Sequence, residues 1–175
     1  MLTALSRFSQ QRLSWLLLLL SCLGLFAAAL VFQHQMQLEP CLYCIYIRVA
    51  VLALALAALL GLLLPRHPFV SLFGFAAWLA SAAWGLWLSL ELVNKQSGTE
   101  NVGLFGPSCD YIPNFPTWMP LHQWWPNLFQ PRGQCADEAW QWLGITMAQW
   151  MVVVFVIYLA LWCLFAGARL VRVAK

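Results

Sequence analysis

Long apolar runs alternate with brief polar interruptions along the chain, and four are of membrane-crossing length: roughly Leu13 to Phe32, Ile45 to Leu64, Phe69 to Leu92 and Met147 to Gly167. A helix needs ~20 predominantly apolar residues to bridge the hydrocarbon layer. The pattern predicts four transmembrane helices joined by a short, a very short and a long connection, and the tight connections make neighbours antiparallel. Ala53, Ala57 and Gly61 recur every four positions in the second run, as do Ala77, Ser81, Gly85 and Ser89 in the third. Small residues so spaced share one helix face and let backbones approach. The second and third helices are expected to pack there, unless the stripes merely reflect how common small residues are in membrane helices. The fold expected is all-α: a four-transmembrane-helix up-down bundle, one domain over 1–175, with loops 33–44 and 93–146 on one side.

Composition agrees, since charged residues make up 9% of the chain and hydrophobic ones 63%, values that belong to an integral membrane protein. Membrane lipid is the expected surroundings, and no nucleic-acid partner is expected. Arg7, Arg12, Arg66, Arg169, Arg172 and Lys175 fall on one side of the bundle, whereas Glu39, Glu91, Glu100, Asp110, Asp137 and Glu138 lie on the other or at its edge. An excess of Lys and Arg marks the cytoplasmic side, so both termini are expected there. Loops 33–44 and 93–146 then face outward, into the periplasm of a Gram-negative cell, where disulfides form and persist. Arg7 and Arg12 ahead of Leu16 to Leu20, with Ala27-Ala28-Ala29 downstream, also resemble a secretory signal, but the apolar stretch is longer than a signal's ~7 to 15 residues. It is expected to stay as a span.

In the long loop, Trp118, Met119, Leu121, Trp124, Trp125, Leu128 and Phe129 crowd around Pro116, Pro120 and Pro126, with Trp140 and Trp142 just before the last span. This reads as an interfacial amphipathic segment at the headgroup level or as a small aromatic core within an outer cap.

The chemistry sits in the cysteines. Cys41-Leu42-Tyr43-Cys44 stands where the second helix begins, and a Cys-x-x-Cys at a helix N-terminus has its thiolate favoured by the macrodipole. Pro40 suits that boundary. Arg48 follows one turn beyond Cys44 on the same face, where a guanidinium near the bilayer either snorkels to water or is paired; it could reach a Cys44 thiolate or an anionic ligand beside it. A zinc site would want more ligands than this pair offers, so no metal is expected. A purely structural Cys41–Cys44 disulfide would stabilise little across so small a loop. Cys109 and Cys135 are a distant loop pair, structural by their isolation or, beside a reactive Cys-x-x-Cys, the other station of a thiol–disulfide relay. Gly106-Pro107-Ser108 suggests an exposed turn before Cys109. Cys22 and Cys163 read as buried and inert, and His34, His67 and His122 as interfacial or solvated.

Phe32-Gln33-His34, then Glu39-Pro40-Cys41-Leu42-Tyr43-Cys44-Ile45-Tyr46 with Arg48, Pro107-Ser108-Cys109-Asp110, Phe115-Pro116-Thr117-Trp118 and Gly133-Gln134-Cys135-Ala136 together resemble the bacterial disulfide bond formation protein B family, DsbB, over nearly the whole chain. The resemblance implies an inner-membrane protein-disulfide:quinone oxidoreductase that reoxidises a DsbA-like periplasmic thiol oxidase. It implies catalytic roles for Cys41, Cys44, Cys109 and Cys135: the partner attacks Cys109, a Cys109–Cys135 disulfide opens, and electrons pass to Cys41 and Cys44. It further implies that Cys44 meets ubiquinone or menaquinone from the membrane quinone pool, in a thiolate charge-transfer contact or adduct, with Arg48 supporting the quinone. Two departures stand out. The best-known relative carries a histidine, associated with quinone reduction, near the outer end of the third helix where an ungapped alignment gives this chain Glu91-Leu92, and the stretch from Leu92 to Cys109 is longer than usual in relatives. A paralogue serving a specialised partner is one alternative. A vitamin K epoxide reductase-like exchanger is another, although that family carries its loop pair before the quinone-proximal Cys-x-x-Cys. A scaffold with stabilising disulfides is the non-enzymatic alternative.

Overall fold

A computed structural model describes residues 11–64, 68–97, 113–133, 135 and 140–173. Arg7, Arg66, His67, the turn at Gly106-Pro107-Ser108, Cys109, Asp137, Glu138 and Lys175 lie outside the described residues. Four long helices are present: α1 (Arg12–His34), α2 (Leu42–Leu63), α3 (Pro68–Gln96) and, after the long loop, α6 (Met147–Val173). Each is long and apolar enough to cross a membrane. The loop holds two single-turn helices, α4 (Leu121–Trp124) and α5 (Pro126–Phe129), and a hairpin of β1 (Gln141–Trp142) and β2 (Ile145–Thr146). Among the described residues the hairpin is the one addition to the all-α expectation. Its strands pair antiparallel with Trp142 opposite Ile145, and its turn places Leu143 and Gly144 at φ 56° and 75°, the double positive φ of a two-residue hairpin loop.

Helix α2 is central, with 56% of its span buried against 17% in α1 and in α6. It packs along α1 and α3, and α3 packs along α6. The outer surface of α1 exposes Leu16, Leu17, Leu20 and Leu23, apolar side chains whose natural neighbour is acyl chain. The small-residue stripes serve two purposes. Gly74, outside the predicted stripe, approaches the Ala57 carbonyl across α2 and α3, whereas within the stripes Gly61 is the floor on which the Trp15 ring of α1 rests and Gly85 receives the Phe155 ring of α6. Trp15 then stacks edge-on against Phe75 and Trp78, with ring centroids at 5.3 and 6.0 Å. The glycines therefore admit aromatic rings as well as a neighbouring backbone.

Contact between α1 and α6 is sparse, and a polar bridge spans it. Tyr158 Oη donates to Ser21 Oγ (3.0 Å), and Cys22 Sγ lies 3.8 Å from the same phenol oxygen. Toward the α1 C-terminus these two helices diverge and leave a cavity, into which the connection before α2 and the end of the long loop are folded.

Candidate functional site: a cysteine-lined cavity at one end of the bundle

The turn after α1 sets the geometry. Leu38 N–H donates back to the Phe32 carbonyl (3.2 Å), Gln37 takes a positive φ of 55°, and the chain reverses through Glu39 and Pro40 into α2. Cys41 is the N-cap of α2, extended at φ −78° and ψ 172°, and its sulfur accepts from the Cys44 backbone N–H at 3.3 Å. That is the bond a serine or aspartate cap makes. The Cys-x-x-Cys therefore straddles the helix start, with Pro40 just outside it, and the two Sγ atoms lie 2.7 Å apart. The hydrogen bond with Cys44, followed by burial, pushes the Cys41 thiol well above its ordinary value, so at neutral pH Cys41 keeps its proton and offers it to Cys44.

Arg48 lies one turn deeper and is 8% exposed. Nη1 donates to Gln33 Oε1 (2.6 Å) and to the Leu128 carbonyl (3.1 Å), and Nη2 to the Ala29 carbonyl (3.3 Å). The guanidinium is paired rather than snorkelling, and its partners belong to α1 and α5 rather than to Cys44. Charge-assisted bonds of this kind offset the cost of holding a cation near the bilayer. Gln33 completes the arrangement, since its Nε2 donates to the Asn127 carbonyl (2.7 Å). Gln33 and Arg48 together tie α1, α2 and α5 into one wall. Sequence reasoning marked Gln33 only as part of a resemblance. The signal available was an amide at the end of an apolar span, a place where a polar group needs a partner.

Cys135 is buried, 1% exposed, and disulfide-bonded. It belongs to the same buried cluster as Cys41 and Leu42. Cys109 lies outside the described residues, so of the expected pairs Cys41 and Cys44 are seen together. Of the two cysteines expected to be buried, Cys22 is, whereas Cys163 is exposed on α6. His34 is exposed, and His122 stacks on Phe115 with centroids 5.9 Å apart.

Cys41, Cys44 and Arg48 line a cavity of about 750 Å³ whose walls come from α1, α2, the C-terminal end of α3, α6 and the loop. Most of the lining is apolar, including Phe26, Phe32, Ile47, Val51, Met151 and Val154, and polar groups gather at the cysteine end. A concave apolar space with a few convergent polar groups is the usual form of a small-molecule site. Where the resemblance left Glu91-Leu92 in place of a histidine, Leu92 lines the cavity and, among the described residues, no histidine does. The described residues hold no cluster of metal-ligating side chains.

A dithiol at the rim of an apolar cavity between spanning helices, with a disulfide-bonded cysteine in the same buried cluster, defines a multi-pass membrane thiol–disulfide oxidoreductase. The comparisons make the assignment narrower. The family profile described as Disulfide bond formation protein DsbB matches residues 11–165. A Disulfide bond formation protein B of Shewanella loihica is 50% identical over 158 residues, covering 90% of this chain and 90% of the relative. Its counterpart in Shewanella sp. strain W3-18-1 is 47% identical over 94% of this chain and 91% of the relative. That of Psychromonas ingrahamii is 44% identical over 99% and 92%. The chain belongs to the DsbB family, whose name carries the activity: a membrane oxidoreductase that generates disulfide bonds.

Proposed function

We propose that this protein reoxidises a DsbA-like periplasmic thiol oxidase and passes the electrons, through a Cys109–Cys135 pair and then Cys41 and Cys44, to a membrane quinone. The observation that carries the proposal is the shared lining of one apolar cavity by Cys44 and Arg48. A quinone, whether ubiquinone or menaquinone, supplies a two-electron, two-proton acceptor when bound. The residues fit such a group. The Arg48 bonds to Gln33, Leu128 and Ala29 fix the guanidinium while employing only part of its five-donor fork, which leaves N–H capacity for a ring carbonyl. The apolar walls suit a ring and an isoprenoid chain and exclude water.

The chain's own residues do the sulfur chemistry. Attack by the partner's thiolate on Cys109 breaks the Cys109–Cys135 bond and releases Cys135 as thiolate. Cys135 attacks Cys41 of an oxidised Cys41–Cys44 pair, so that a Cys135–Cys41 bond forms and the electron pair leaves on Cys44. Each step is thiolate displacement at a neighbouring sulfur. Overall, two partner thiols and one quinone give one disulfide and one hydroquinone, and protons balance without an external acid. The balance closes when the partner's second thiolate displaces Cys109, Cys109 attacks Cys135 to restore the Cys109–Cys135 bond, and Cys41 is released and takes one of those protons beside Cys44 at the cavity rim. Arg12 and Arg169 at the bundle end opposite Cys41 support cytoplasmic termini and cysteines facing the periplasm of the inner membrane.

The test mixes purified protein with a reduced DsbA-like oxidase and a soluble quinone while following quinone absorbance. Wild type is expected to reduce the quinone and Cys44→Ser to lose the reaction; reduction that persists in Cys44→Ser refutes the role of Cys44.

A further inference from the structure

Among the described residues, the long loop is fastened to the Cys-x-x-Cys segment through one backbone carbonyl. The N–H groups of Arg132 and Gly133 both donate to the Pro40 carbonyl, at 3.0 and 3.2 Å. The approach is close enough that a Cβ at Gly133 would overlap the Glu39 carbonyl oxygen. Pro40 and Cys41 are neighbours in sequence, and Cys135 follows Gly133 by two residues. The clamp thus joins the strand of loop that carries Cys135 to the residue just ahead of Cys41. Cys41 and Cys135 are both buried, 4% and 1% exposed, in the core that runs through the bundle, and the Phe32–Trp140 ring contact, centroids 5.1 Å apart, holds the loop beyond Cys135 against α1.

We propose that Gly133 is a positioning residue for exchange between the two cysteine couples: its missing side chain lets the Arg132 and Gly133 amides grip Pro40, which sets the register of Cys135 on Cys41. The inference rests on the relay proposed above. Displacement at sulfur requires attacking, central and leaving sulfurs nearly in line, and a shift of about 1 Å in such a geometry costs on the order of a hundredfold in rate. A methyl group at Gly133 forces that shift, because the atom it meets is backbone and cannot rotate away. Gly133 lies on the loop wall of the cavity, but the atoms its methyl meets belong to Glu39 and not to Cys44 or Arg48.

The experiment compares Gly133→Ala with wild type in two reactions. Driven by a reduced DsbA-like oxidase, quinone reduction by Gly133→Ala is expected to fall about ten- to a hundredfold. Driven by dithiothreitol in a Cys109→Ala/Cys135→Ala background, where only the inner pair remains, it is expected to change by no more than about twofold, since Gly133 lines the cavity away from the in-line sulfur geometry that the partner-driven reaction needs. Gln130→Ala, in the same loop but exposed, is expected to match wild type in both. Equal partner-driven rates for Gly133→Ala and wild type overturn the proposal. Should Gly133→Ala lose both reactions, amide hydrogen exchange on the wild-type protein decides. Slow exchange at Arg132 and Gly133 upholds the clamp, and exchange at open-loop rates overturns it. A wild type that never passes electrons from the oxidase to quinone removes the relay instead, an outcome distinct from failure of the clamp.

Discussion

At the scale of single residues, two side chains of the proposed relay, Cys41 and Arg48, are each constrained by their neighbours. The Cys41 thiol is raised by its hydrogen bond with Cys44 and then by burial, so as pH climbs through the ordinary thiol range near ~8.5 Cys41 stays protonated while an exposed cysteine ionises. Only the thiolate is nucleophilic. Alkylation of reduced wild-type protein, followed by mass spectrometry, is therefore expected to modify Cys41 more slowly than a free thiol across that range. In Cys44→Ala, where the larger cause is gone, Cys41 is expected to react faster; an unchanged rate means the sulfur pair does not share a proton. Arg48 serves two ends. Arg48→Ala is expected to raise the apparent KM for quinone about tenfold or more, the range for losing a charge-assisted hydrogen bond of ~1.5–3 kcal/mol. It is also expected to increase proteolytic cutting near Leu128, whose carbonyl Arg48 holds. An unaltered KM removes Arg48 from the binding site, and unaltered proteolysis removes it from the loop.

The legibility of the elements varied with what each depends on. Spans predicted at 13–32, 45–64, 69–92 and 147–167 correspond to Arg12–His34, Leu42–Leu63, Pro68–Gln96 and Met147–Val173, because hydrocarbon thickness sets helix length directly. The third and fourth run several residues longer, into water or headgroups, where hydropathy no longer marks the helix. The hairpin at 141–146 was not legible, since its Leu143-Gly144 turn lacks the Asn-Gly or Asp-Gly pattern that signals such a loop. The glycine stripes were legible as close-approach positions, yet their occupants were not, because a ring from a helix distant in sequence fills the notch. Gly61→Ala and Gly85→Ala are each expected to cost ~1–3 kcal/mol through overpacking, read as lower thermal midpoints in detergent. Gly24→Ala, which meets nothing within 4 Å, is expected to leave the midpoint in place.

Taken as a whole, the molecule is a bundle closed on three sides and parted on the fourth. Packing runs from α1 to α2 to α3 to α6, and the Ser21–Tyr158 bridge pins the remaining seam at mid-span. The cavity opens on the cysteine side of that pin. Leu25 and Val154 line both this cavity and a shallow groove that continues past Tyr158, so an apolar chain has a continuous path toward lipid. Added quinone is expected to protect Cys44 from alkylation while leaving Cys163, exposed on α6, as reactive as before. Equal labelling of Cys44 with and without quinone would place the acceptor elsewhere.

The four spans and the placing of a Cys-x-x-Cys at the start of the second helix were legible in local information. Each depends on a run of neighbouring side chains meeting a planar solvent boundary, or on two sulfurs three positions apart at a helix start. The tertiary structure decided what those features touch. Gln33 and Arg48 became one wall, Cys135 came to share a buried cluster with Cys41, and Gly133 became the point where the loop grips Pro40. None of these follows from periodicity, because each joins segments tens of residues apart through backbone carbonyls, which every residue possesses and no sequence pattern distinguishes.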